Sequence, residues 1–195
     1  MKPCVVTSSD AAALLLGRLL GPELERRVEL LDGRSWLNAV GRARAMVREG
    51  ANVALVLGPR KRRGPDAHEW DKAYAYSLLN PSAERTGPAM RVILLRSAPE
   101  GLLFLEPDIL RRIAGHEPRP EHLQWARGAP REALSALLGV KPATLAKALR
   151  PRLEEVDLMP LASRAPIRRL RKFIHAQIQR SERRTSEAIS ASEPR

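Results

Sequence analysis

The chain has 195 residues, 44% of them hydrophobic, one cysteine and a formal net charge of +12. That length suits one domain of ordinary size with an appendage. The lone Cys4 excludes an internal disulfide framework and fits a reducing cytoplasm. No apolar run reaches the ~20 residues that span a bilayer. Ala11 to Leu20 is bracketed by Asp10 and Arg18 without a charged leader, so neither a signal peptide nor a membrane anchor is expected.

Pro3 to Thr7 reads as a first strand, and Ser8-Ser9-Asp10 offers N-caps for a helix over Ala11 to Leu20 that Gly21-Pro22 stops. Arg27 to Leu31 reads as a second strand. Asp32-Gly33-Arg34-Ser35 is a turn whose Ser35 caps a helix from Trp36 to Arg48, closed by Gly50. Asn52 to Leu57 is a third strand. Its unbroken Val-Ala-Leu-Val-Leu run is that of a sheet covered on both faces. A loop over 58–66 leads to a helix over Ala67 to Leu79, closed by Asn80-Pro81, and Met90 to Leu95 is the fourth strand. This alternation predicts an α/β fold, a mostly parallel sheet of four to five strands with helices on both faces.

Beyond Arg96 the pattern turns helical. Gly101 to Leu105 reads as a fifth strand or a first helical turn. Helices follow over Pro107–Ile113, Glu121–Arg127, Pro130–Leu138 and Pro142–Leu149, punctuated by Gly128, Gly139 and Pro151. A last helix, Pro166 to Arg180, carries Ile167, Leu170, Phe173, Ile174 and Ile178 on one face and Arg168, Arg169, Arg171 and Lys172 on the other. The expected organisation is an α/β domain over 1–105, a helical extension packed on it over 106–180, and a polar, disordered tail over 181–195.

The charge is clustered. Arg60, Lys61, Arg62 and Arg63 are consecutive, and residues 161–195 hold nine Lys/Arg against three Glu. Clustered cations are the electrostatic footprint of a nucleic-acid binder, although a chain that simply favours Arg also gains charge this way. In an open α/β sheet, ligands bind at the carboxyl ends of the strands. The Arg60 to Arg63 loop stands at that end of the third strand, where cations meet phosphates directly. Arg34 and the basic face of the last helix complete the candidate set. The plain alternative for each is a solvated turn, loop or helix face.

Five segments in order resemble one family. These are Val5-Val6 followed by Asp10; Leu31-Asp32-Gly33-Arg34-Ser35 with Ala39 and Ala43-Arg44; Val53 to Leu57; Glu100 to Asp108; and Pro166-Ile167-Arg168. Together they resemble a Toprim domain, the metal-dependent catalytic domain of topoisomerases, bacterial primases and OLD-family nucleases, over about residues 1–175. The second of these segments resembles the second strand and helix of bacterial Toprim-like proteins of the OLD and defence-associated kind. The resemblance implies a Glu ending strand one and an Asp-x-Asp after strand three. Those carboxylates hold one or two Mg²⁺ ions against a phosphodiester. Here the first position falls at Thr7 or Ser8 and the pair at Gly58 and Arg60, none of them acidic.

The expectation is therefore a catalytically degenerate Toprim-like protein without a cofactor. It would bind nucleic acid or an acidic protein surface, as an accessory subunit with a protein partner or as a homo-oligomer. One alternative is an active Mg²⁺-dependent nuclease whose carboxylates have moved to Asp66, Glu69, Asp71 or Glu100. Another is a structural protein–protein interaction module. His68, His116, His122 and His175 lack metal spacing, and Gly58-Pro59-Arg60-Lys61 is not a P-loop. Trp36, Trp70 and Trp125 read as core or interface anchors rather than stacking platforms.

Overall fold

Two hydrophobic periods build the molecule: short, uninterrupted apolar strands and longer helices with one apolar stripe. The computed structural model describes residues 2–60, 67–86 and 89–192. Four strands, β1 (Cys4–Thr7), β2 (Glu29–Asp32), β3 (Val53–Leu57) and β4 (Met90–Leu94), form one sheet in the order β2-β1-β3-β4. Every pairing is parallel, with Val5 opposite Leu30 and Ala54, and Leu55 opposite Val92. Among the described residues there is no fifth strand. Pro99–Leu105 is a 3-10 helix instead, opened by Pro99, which supplies no N–H to a ladder.

Successive strand residues point to opposite faces. Cys4, Val6, Val53, Leu55 and Leu57 pack against α3 (Trp36–Arg48) and α4 (Ala67–Thr86). Val5, Ala54, Val56 and Ile93 face the other layer, which begins with α1 (Asp10–Leu20). All five residues of β3 are buried, as a strand covered on both faces requires. Cys4 is buried within the strand, and burial, with Glu29 beside it, pushes its thiol up to about 12. It is an unreactive core residue.

The C-terminal helices are α5 (Pro107–Ala114), α6 (Pro120–Ala126), α7 (Pro130–Leu137), α8 (Leu145–Glu154), α9 (Met159–Ala162) and α10 (Ala165–Ser192). Five of them, α5 and α7–α10, share one hydrophobic cluster with α1 and the sheet. On α10, Ile167, Leu170, Phe173, Ile174 and Ile178 are all buried. Each such side chain contributes roughly 1.5–3 kcal/mol relative to exposure. No helix among the described residues is long and apolar enough to cross a membrane.

Several boundaries differ from the sequence reading. A short helix, α2 (Pro22–Arg27), precedes β2, with Pro22 at its first turn, so the second strand starts two residues later than expected. Helix α4 passes through Asn80-Pro81 to Thr86: Pro81 removes one N–H, but its fixed φ is already helical. Pro151 lies inside α8, where buried Leu145, Leu149 and Leu153 carry the helix across it. Helix α10 continues to Ser192, over most of the stretch whose polar composition suggested disorder.

Candidate functional site

The strand order fixes where a site belongs. From β1 the chain moves outward to β2, then returns across the sheet to β3, so the order reverses between β1 and β3. At such a switch point the loops leaving the two strands diverge and open a crevice at their carboxyl ends. A cleft of about 540 Å³ lies there. Ser8 and Ser9 line it after β1, Ser35 and Trp36 at the start of α3, and Gly58 and Pro59 after β3. Arg96, Ser97, Ala98 and Glu100 enter from beyond β4, and Arg127 to Glu132 from the α6–α7 junction.

Glu100 lines this cleft and is only 1% exposed. Ser9 has two roles beside it. Its Oγ accepts the Ala12 N–H at 3.0 Å as the N-cap of α1, and its hydroxyl donates to Glu100 Oε1 at 2.5 Å. Burial raises the Glu100 pKa above the ordinary carboxylate value. The Ser9 hydrogen bond, the backbone and the Arg131 charge oppose that rise. Arg131 is held in place: its guanidinium donates to Asp10 Oδ1 at 3.1 Å and to the Pro142 carbonyl at 3.0 Å.

Arg96 and Arg127 are different. Both are exposed, both line the cleft, and neither has an ion-pair partner among the described residues. They are the cations available to a ligand. Arg96 stands two residues beyond the fourth strand, so the strand-end rule that singled out Arg60 also points to it. Arg127 carries no comparable signal, because only helix packing brings it to the sheet.

Among the described residues, the predicted cations are not brought together. Lys61, Arg62, Arg63 and Asp66 lie outside the described residues. The Arg60 backbone N–H donates to Asp71 Oδ2 at 2.7 Å, and its Nε is 3.9 Å from Asp71 Oδ1. The Arg60 guanidinium sits 5.2 Å from the Trp36 ring centroid and 5.0 Å from that of Tyr74. Arg34 is exposed in a left-handed turn at φ 62°, its N–H donating to Asp32 Oδ1 at 2.6 Å. Arg168, Arg169 and Lys172 are exposed on α10 and Arg171 is half-buried, and none of the four lines the cleft.

Nor do the predicted carboxylates converge among the described residues. Asp71 is buried against Arg60, and Glu69 is exposed beside Lys72 at 3.9 Å. Of the four alternative acids, Glu100 is the one in the cleft among the described residues. No group of three or more His, Cys, Asp or Glu among those residues is placed to hold a metal ion.

No family model, curated protein or solved structure matches this chain.

Of the positions where the Toprim resemblance expects acids, Thr7 and Gly58 have distinct surroundings, and Arg60 is engaged by Asp71. Thr7 is fully buried, and its Oγ1 has no hydrogen-bond partner among the described residues. Gly58 lies against the backbone that follows β4. A Cβ added there would stand 2.5 Å from Ala98 N and 2.6 Å from Ala98 Cα. Position 58 therefore admits no side chain while Ser97-Ala98 stays in place. Trp36 lines the cleft half-buried, whereas Trp70 and Trp125 are 65% and 48% exposed and are not core residues.

Proposed function

We propose that this chain is a Toprim-like α/β protein that binds nucleic acid at the carboxyl end of its sheet, through phosphate contacts rather than through a metal held by an Asp-x-Asp. In this reading it serves as an accessory subunit of a larger assembly. The observation that carries it is the cleft at the β1/β3 switch point, where exposed Arg96 and Arg127 have no carboxylate partner among the described residues. Guanidinium groups bind phosphates bidentately without an intervening ion. The first turns of α1 and α3 start at the same edge, at Ser9 and Ser35, and add the favourable end of their dipoles.

The test is fluorescence anisotropy of labelled DNA and RNA oligonucleotides across a salt series. The logarithm of affinity is expected to fall linearly with that of salt. Arg96→Glu with Arg127→Glu should weaken binding at least about tenfold and shallow the salt slope by roughly one unit per lost phosphate contact. Absence of binding at low salt, or binding unchanged in the double variant, refutes the reading.

The position of Glu100 favours a second reading, a Mg²⁺-dependent nuclease with a relocated acid. Strand cleavage that requires Mg²⁺ or Mn²⁺ and is abolished by Glu100→Gln would replace the first reading with this one.

A further inference from the structure

Phosphate contacts alone do not distinguish a duplex from a single strand. The aromatic residue in the cleft wall bears on that distinction. Trp36 is the first residue of α3, and its Nε1–H donates to the Gly58 carbonyl at 3.1 Å, so the indole is tied to the end of β3. Tyr74 stacks on it, with ring centroids 6.0 Å apart and planes 24° from parallel. The Arg60 guanidinium braces both rings and is itself anchored on buried Asp71. The indole lines the cleft together with Arg96 and Arg127, whose guanidinium groups have no ion-pair partner among the described residues, and a ring fixed this way needs no reordering to meet a flat ligand.

Bases in a duplex have both faces covered by their neighbours and cannot offer one to a protein ring. Bases in a single strand can, and a cationic groove combined with aromatic side chains is the general solution for binding them. The size agrees. A cleft of about 540 Å³ lies in the range of about 300–1,000 Å³ that encloses a small organic ligand. It suits one nucleotide unit and not the full width of a double helix.

We infer that the cleft receives a single-stranded segment, one base stacked on Trp36 and the adjoining phosphates on Arg96 and Arg127. This deepens the nucleic-acid reading of the cleft and rests on it.

Three short fluorescein-labelled oligonucleotides of equal charge per strand test it: a mixed-sequence single strand, its fully abasic counterpart and the corresponding duplex. The full chain is titrated with each by anisotropy at about 50 mM salt. The single strand is expected to bind at least about tenfold more tightly than the other two. Trp36→Leu should lower single-strand affinity by roughly 5- to 100-fold while leaving the abasic strand within about twofold, and Trp36→Phe should restore most of the loss. A measurement that leaves Trp36 intact runs alongside. In a Trp70→Phe, Trp125→Phe background Trp36 is the sole tryptophan, and its fluorescence should be quenched by the single strand but not by the abasic one.

Equal affinity for abasic and natural strands, equal affinity for the duplex, or no quenching overturns the stacking inference and leaves the phosphate reading standing. If none of the three oligonucleotides binds, the nucleic-acid reading falls, and this inference with it.

Discussion

Replacing Gly58 with alanine tests whether the loop after β3 is built to exclude a side chain. The new methyl carbon would lie 2.5 Å from Ala98 N, 2.6 Å from Ala98 Cα and 2.7 Å from Ser97 C. Carbon atoms at rest sit about 3.5–4.0 Å apart, so something must move by about 1 Å. The opposing atoms are backbone, and their segment is pinned. The Leu95 N–H donates to the Leu57 carbonyl and the Gly101 N–H to the Ala98 carbonyl, each at 2.8 Å, while Trp36 holds the Gly58 carbonyl. Overpacking of this kind costs about 1–3 kcal/mol. In urea, with a slope of about 1–3 kcal/mol/M, the Gly58→Ala midpoint should fall by roughly 1 M at unchanged slope. Gly41→Ala is the internal control. Gly41 is exposed in the middle of α3, and nothing lies within 4 Å of its added Cβ, so this change should stabilise by about 0.5–1 kcal/mol. Gly58→Asp should destabilise at least as much as Gly58→Ala and give no Mg²⁺-dependent stabilisation. A Gly58→Ala midpoint within experimental error of the parent would refute the steric reasoning. Stabilisation of Gly58→Asp by Mg²⁺ would show instead that the position still accepts a metal-binding carboxylate.

Two further changes probe the acids. In the folded chain the Glu100 pKa is raised above 4.5 by burial, so between that value and the folded one the native state keeps a proton that the unfolded chain has released. Stability contributed by protonated Glu100 is complete below about pH 4.5 and is lost as pH rises through the folded pKa. Glu100→Gln keeps an acceptor for Ser9 and should gain stability relative to the parent as pH climbs through that window, measured by urea midpoints from acid to neutral pH. A difference independent of pH would remove Glu100 as the titrating group. Asp71→Ala should cost about 2–3 kcal/mol, because it strands the Arg60 N–H and the adjoining guanidinium. Asp71→Asn keeps an acceptor and should cost less, and equal losses for the two would contradict this account.

The parts of the fold visible in the sequence are those set by local periodicity. The Val53 to Leu57 run has no polar alternation and is buried throughout. Ser35 followed by helical apolar spacing gives α3 its observed limits, Trp36–Arg48. The hidden parts are those where packing overrides a local breaker, as at Pro81 in α4 and Pro151 in α8. The cleft divides in the same way. Its strand-end residues follow from the order of strands and loops. The Ser9–Glu100 bond joins residues 91 apart, and Arg127 and Arg131 arrive from a helical region whose docking no local pattern encodes. Arg60 shows the limit of reading charge alone. As the first member of a four-residue cationic run it marks a phosphate contact in the sequence, yet its side chain is engaged by two aromatic rings and a buried carboxylate.

That engagement decides which cations report on binding. Asp71 is 1% exposed, so the Arg60–Asp71 contact is shielded from salt more than a surface pair would be. The field that Arg60 projects toward a ligand is correspondingly offset by the carboxylate behind it. Arg60 also braces Trp36, which in turn fixes the Gly58 carbonyl at the end of β3. Substituting Arg60 would therefore disturb the strand end, the aromatic pair and the electrostatics together, and a loss of affinity would not identify a phosphate contact. Arg96 and Arg127 carry no such structural duty: both are exposed and without ion-pair partners among the described residues. Reversing their charge changes what the cleft offers an anion while leaving the sheet edge intact. The nucleic-acid reading accordingly stands or falls on these two arginines, not on the basic run that first draws the eye.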